Sequence, residues 1–237
     1  VDNPGLMIAD PTQPQIPGEE IELVPAPGVY EPDSPAIANE AQFDVEGTIK
    51  ITDSLISGNF AHHDGAGLMN GGSGTIVLER TTVTKNRTTA GGGGIYSSGG
   101  YVTIRDSQIT ENESLGADGG GFYSGGASSK IGLRGKVEIT NTLVARNSAV
   151  ASGGGIVNDG DGHMVLTDVQ ILDNHSHDAG AGLFSEGRTS LTVLRTTFSR
   201  NETENEGGGA WTGGERLVTI TDSVFSHNKA GVPEIDP

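Results

Sequence analysis

The chain has 237 residues, enough for one domain or two small ones, and its 38 glycines exceed the usual share of about 7% without forming the Gly-X-Y triplets of collagen. Fourteen Lys+Arg against 31 Asp+Glu leave a formal net charge of -17, whose field repels phosphate backbones and anionic headgroups, so nucleic acid and membrane surfaces are not expected partners. The absence of cysteine removes disulfides, thiolate metal sites and cysteine nucleophiles, and no apolar run approaches the roughly 18 residues of a membrane span.

Residues 1–41 hold eight of the ten prolines and eight acidic residues with no Lys or Arg. Long helices are excluded there. Gly5–Ala9 and Ile21–Val24 are short enough for extended strands between proline breaks, so the segment reads as an extended arm, packed along its own body or reaching a neighbour. The chain begins at Val1 rather than Met, as a processed mature protein or a trimmed chain would.

From residue 42 to 237 the composition changes and a repeat appears. Asn59, Asn86, Asn112, Asn147, Asn174, Asn201 and Asn228 are spaced by 27, 26, 35, 27, 27 and 27 residues, with the excess of the long interval around Ser128–Gly135. The third residue before each asparagine is apolar, from Ile56 to Phe225, as are the eighth and tenth, from Ile51 and Ile49 to Ile220 and Val218. A two-residue spacing places side chains on one face of a strand. After each of the first six asparagines a polar turn leads into a glycine step that ends in Leu68, Ile95, Phe122, Ile156, Leu183 or Ala210, a further inward column. Three inward segments per repeat cannot bury their faces alone and must stack on the next copy, so the chain is expected to be all-β, a solenoid of about seven coils. At about 4.8 Å per coil the rod would be roughly 33 Å long. In-register asparagines would exchange amide hydrogen bonds as a ladder, and glycine would supply positive φ and close approach between coils.

The Gly-Gly-X-apolar step at 92–95, 153–156 and 207–210, paired with Phe-x-x-Asn at 198–201 and 225–228, resembles the repeats of polymorphic outer-membrane proteins and autotransporter passengers. That resemblance implies a right-handed parallel β-helix at a bacterial surface, and it covers residues 42–231.

Candidate chemistry comes from the outward positions. The sixth residue before each ladder asparagine forms the column Asp53, Arg80, Asp106, Asn141, Asp168, Arg195 and Asp222, which reads either as charges paired between coils or as a catalytic groove of the polysaccharide lyase or glycosidase kind. No catalytic residue is assigned. Asn158-Asp159-Gly160-Asp161-Gly162 concentrates oxygen ligands, so Asp159 and Asp161 are the candidates for calcium, the only cofactor considered, beside the reading of a plain solvated turn. Four ladder asparagines, Asn86, Asn112, Asn174 and Asn201, match the glycosylation pattern, but a buried ladder amide cannot take a glycan. The two histidine groups, His62 with His63 and His175 with His177, lie about four coils apart and cannot share a metal.

A further column, Met69, Tyr96, Tyr123, Val157, Phe184 and Trp211, is expected to face outward as an interface, either covered by the 1–41 arm or open to another subunit or to a surface glycan. Only nine residues follow Asn228, too few for a cap on the last strand edge. The expectation from sequence is therefore an extracellular or cell-surface, non-enzymatic, structural or adhesive rod that associates with itself, possible filament formation included, with a polysaccharide-active enzyme as the alternative.

Overall fold

The structure, a computed structural model, describes residues 20–21, 38–39, 48–71, 74–125, 136–159, 162–186, 190–213 and 217–231. These residues form strands, bridges and turns without a helix, and the strands stack in parallel into four sheets that run the length of a rod. Each of the six coils between Thr48 and Thr212 contributes one strand to each sheet, and the next coil adds a strand to the first three. In the second coil these are Thr75–Glu79, Thr82–Thr84, Arg87–Thr88 and Ile95–Ser97, in the order first to fourth sheet. Sequence spacing anticipates three of them. The third sheet escapes it because its strands are two residues long and have a single inward position, Ala61, Thr88, Ser114, Ala149, Ser176 and Thr203, which is mostly polar.

The first sheet is built from five-residue strands such as Val102–Ile104 and its flanks, paired with Ile76–Leu78 on one side and Val137–Ile139 on the other. Alternation sends Ile76, Leu78, Val102, Ile104, Ile139, Met164, Leu166, Leu191 and Val193 into a core where none is more than 1% exposed. The second sheet adds Val83, Ile109, Val144, Ile171 and Phe198, and the fourth adds Leu68, Ile95, Phe122, Ile156 and Leu183. One continuous apolar cluster therefore fills the rod from Ile49 to Phe198. At the far end, the inward Ile220 and Phe225 are 48% and 44% exposed, with Phe225 stacked on Phe198 at 4.4 Å.

The 35-residue interval leaves the register intact. Gln108–Thr110 pairs with Leu143–Ala145, and the amide N–H of Asn112 donates to Asn147 Oδ1 at 3.0 Å. Residues 126–135, which contain the expected loop, lie outside the described residues. So does most of the 1–41 segment, of which Glu20–Ile21 pairs with Thr48–Ile49 on the first sheet and Ala38–Asn39 with Met69–Asn70 on the fourth.

Corners determine the shape of the coil. The column from Asp53 to Asp222 lies entirely at φ between 46° and 54°, and the residue before each ladder asparagine from Lys85 to His227 at 54° to 57°. Left-handed backbone at non-glycine residues is uncommon and favours Asp and Asn, so Asp53, Asp106, Asn141, Asp168 and Asp222 suit the first corner. The first glycine of each glycine step makes a third positive-φ corner, as at Gly92 with φ 66°. The last position of the step, from Gly67 to Gly209, is glycine in all six coils and serves close approach instead, a Cβ at Gly155 standing 2.6 Å from the Gly182 carbonyl oxygen, while the middle position also holds the buried Ala66 and Ala181.

Three polar ladders brace these corners. In the asparagine ladder, each Oδ1 accepts both the backbone N–H and the side-chain amide of the asparagine one coil earlier, and each Nδ2 also donates to a carbonyl of that coil. For Asn147 these bonds run to Asn174 Oδ1 at 3.0 Å and Ile109 O at 2.9 Å. A second ladder uses the residue after the first corner: Ser107 Oγ donates to Arg105 O at 2.6 Å and accepts the Thr81 N–H at 3.1 Å. Thr81, Thr142, Thr196 and Ser223 repeat the turn-closing half of that bond, while Val169 interrupts the column. The third lies inside the fourth sheet, where Asn158 Nδ2 donates to Ser185 Oγ at 3.1 Å and Asn70 to Ser97 at 3.4 Å. None of the buried side-chain N or O atoms among the described residues lacks a partner.

Candidate functional site

The charged corner column is closed by contacts between coils. Arg80 grips Asp53 through two bonds of 2.6 and 2.8 Å, and Arg195 grips Asp168 through two of 2.7 Å. Asn141 donates to Asp106 at 2.5 Å. The second corner column repeats the device, with Arg200 on Asp173 at 2.6 and 2.9 Å and Arg146 on Glu111 at 3.2 Å. Hydrogen bonding from the facing guanidinium holds the carboxyls of Asp53, Asp168 and Asp173 below their ordinary value. These groups are exposed, so each pair adds little to stability by itself; their geometry is nevertheless that of mutual neutralisation.

The turn before the fourth sheet holds acids of another kind. Asp64 Oδ1 accepts the Gly91 N–H at 2.8 Å and Asp118 Oδ1 the Ser152 N–H at 2.6 Å, each bond spanning one coil. Burial, followed by the charges of Asp159 and Asp178, pushes the Asp118 carboxyl up, against the lowering effect of the Ser152 bond. Farther along, His177 stands between Asp178 at 2.9 Å and Glu204 at 3.2 Å, and both raise its pKa, the Asp178 hydrogen bond most. Beside it, Asp178, Ala179, Glu204, Asn205, Glu206 and Gly231 line a shallow open concavity of about 510 Å³.

The column from Met69 to Trp211 runs along the outer side of the fourth sheet and is packed down against the rod. Its aromatic members are half-buried and Val157 is fully buried. The reason is local: each side chain lies over the positive-φ glycine four residues earlier, where a Cβ on Gly92 would stand 2.8 Å from that of Tyr96 and one on Gly119 2.8 Å from that of Tyr123. Tyr96 stacks on Tyr123 with ring centroids 5.0 Å apart and planes at 4°, and Phe184 on Trp211 at 4.7 Å and 8°. Val157 separates the two pairs. Rings stacked face to face along the rod do not offer their faces side by side to a sugar chain. Tyr123 Oη donates to Asp159 Oδ2 at 3.2 Å, and burial with that carboxylate raises the phenol pKa. Trp211 Nε1 donates to Glu206 Oε2 at 3.0 Å.

Of the two calcium candidates, Asp159 is thus engaged by a tyrosine and Asp161 lies outside the described residues. Among the described residues no group of three or more His, Asp or Glu converges as metal ligands. Asn86, Asn112, Asn174 and Asn201 are at most 1% exposed, which bars glycan attachment in the folded state. No local sequence signal marks Asp118, because its neighbours Ser152, Asp159 and Asp178 lie 34 and more residues along the chain.

A family model described as right handed beta helix region matches residues 40–233, and the chain belongs to that family. This supplies the hand of the coil, in keeping with the general right-handed bias of parallel crossovers. Comparison with curated proteins and with solved structures finds no match.

Proposed function

We propose that this chain is a structural and adhesive rod, presented outside the cell, that associates with copies of itself. The observation that carries the reading is the pairing of the solvent-facing corner charges: Asp53 with Arg80, Asp168 with Arg195 and Asp173 with Arg200 bind one coil to the next. A catalytic groove needs such groups free to meet a substrate, whereas a rod gains torsional rigidity from them. Self-association is supported by apolar area on the last described coil, where Leu217, Ile220, Val224 and Phe225 are exposed, the kind of surface that a neighbouring copy covers.

The test combines an activity assay with a size measurement. Incubation with a panel of acidic polysaccharides should release neither unsaturated nor new reducing ends, and light scattering should find particles larger than one chain as concentration rises. Release of ends overturns the structural reading, and a monomer at all concentrations overturns self-association.

One observation favours a second reading, a polysaccharide lyase or glycoside hydrolase. Asp118 is a half-buried carboxyl with a raised pKa beside Asp159 and Asp178, the kind of mismatched carboxylate set that acid–base chemistry uses. Were ends released, Asp118→Asn should abolish the activity while Asp168→Asn leaves it intact.

A further inference from the structure

The fourth sheet and the turn before it differ in charge from the rest of the described surface. Every described Lys and Arg lies elsewhere: Lys50, Arg105 and Lys136 on the first sheet, Arg87 and Lys229 on the third, and the others at the first two corners. There bases meet acids of the adjoining coil, as Arg80 meets Asp53 and Arg87 meets Glu113. On the fourth side Asp64, Asp118, Asp178, Glu204 and Glu206 precede the strands, and Asp159 ends one of them. These carboxylates are held by the backbone N–H groups of Gly91 and Ser152 and by the side chains of Tyr123, Trp211 and His177. None of those donors carries a permanent charge, so the acids are positioned without being neutralised. Three of them, Asp178, Glu204 and Glu206, open into the concavity of about 510 Å³.

Apolar surface runs beside these acids. Tyr96, Tyr123, Phe184 and Trp211 are half-buried along the sheet, and the bonds from Tyr123 to Asp159 and from Trp211 to Glu206 put ring and carboxylate side by side. Lys and Arg carry the matching pair of features, an apolar stem and a charged head. Charge then decides among occupants. Residues 1–41 hold no Lys or Arg and a second copy brings a net charge of -17, so this face repels both. We propose that the outer face of the fourth sheet, with the acid-lined concavity beside Trp211, binds a basic polypeptide segment of a partner protein, whose Lys or Arg stems lie along the aromatic column while their heads meet the carboxylates. The inference rests on the adhesive half of the proposed function and is independent of self-association.

Trp211 is the single tryptophan of the chain, so its emission reports from this face without any substitution. Titration of the full chain at about pH 8, where imidazoles are mostly neutral, with a peptide of alternating Lys and Ala should give a saturating change in Trp211 emission. Calorimetric binding with unchanged emission overturns the face, and no binding overturns the partner class. Any polycation is drawn to an acidic protein, so two variants that lose equal charge separate local from general attraction. Asp178→Asn with Glu204→Gln and Glu206→Gln should weaken binding about tenfold or more, whereas Glu111→Gln with Glu113→Gln and Glu138→Gln should weaken it about twofold or less. Equal weakening overturns the site. A linear polyamine of the same charge that binds as tightly as the peptide overturns the polypeptide assignment. Light scattering of the parent without peptide reports separately on self-association, so either reading can fail alone.

Discussion

At the scale of single residues, the asparagine ladder shows how a buried polar group can be an asset. Asn147 spends both amide protons on Ile109 O and Asn174 Oδ1, and its own Oδ1 takes two protons from Asn112. Asn147→Ala should cost about 1–3 kcal/mol in denaturant unfolding, because the buried Asn112 N–H loses its acceptor and Asn174 Oδ1 and Ile109 O each lose a donor. The hydroxyl ladder permits a test in the opposite direction. Val169 is the apolar member of that column, so Val169→Thr, nearly equal in volume, should regain the turn-closing bond to Thr167 O and stabilise by about 0.5–1.5 kcal/mol. Ionisable residues divide by sign. The folded-state pKa values of Asp53, Asp168 and Asp173 lie below the ordinary 3.8, so their contribution is complete above that pH and is lost as pH falls through the folded values. Asp118 is raised, so the native state holds its proton more tightly and stability declines as pH climbs above 3.8. Asp118→Asn, which keeps an oxygen for the Ser152 N–H, should flatten the fall of Tm as pH rises above 3.8. A parent and variant with parallel pH profiles would refute that environment for Asp118.

At the scale of the element, the glycine step shows two roles separated by two positions. The first glycine is needed for its backbone. The last glycine of the step is the one whose missing side chain matters in every coil: Gly155→Ala brings a methyl to 2.6 Å from the Gly182 carbonyl oxygen and 3.1 Å from the Asn174 amide and should cost about 3 kcal/mol or more, by thermal or denaturant unfolding. Gly58, although at φ 72°, has nothing within 4 Å of a built Cβ, and its column elsewhere accepts Lys85, Glu111 and Arg146. Gly58→Asn should therefore change stability by less than about 1 kcal/mol. Similar costs at the two sites would mean that conformation, rather than close approach, explains both glycines.

At the scale of the whole molecule, the rod is a one-dimensional stack in which each coil is stabilised by its neighbours. Position along the axis then matters as much as residue type. Phe198 is fully buried between coils while Phe225, its equivalent one coil on, is 44% exposed. Phe198→Ala should cost about 3–5 kcal/mol, and Phe225→Ala well under half of that. Equal losses would require the end face to be covered in solution. That result would agree with association there and should depend on protein concentration.

Much of this protein is legible in the order of its residues, because a solenoid turns long-range contacts into a short repeat. The 27-residue spacing of asparagines placed Asn112 over Asn147 across a 35-residue interval, and the paired apolar positions named the first-sheet core from Ile49 to Val193. Features without a periodic apolar signal depended on tertiary structure. The third sheet has one inward residue per strand, often Ser or Thr, so it is invisible to hydrophobic pattern. The charged column could be read from sequence as groove or brace, and only the guanidinium–carboxylate distances decided for pairing. The aromatic column is legible in the sequence as an outward column, but that glycine backbone lies beneath each ring and leaves it half-buried is not. Asp118 owes its raised pKa first to burial and then to the charges of Asp159 and Asp178 on later coils. Repetition carries strand register in the sequence itself, whereas the electrostatics of a site belong to whichever coils the fold brings beside it.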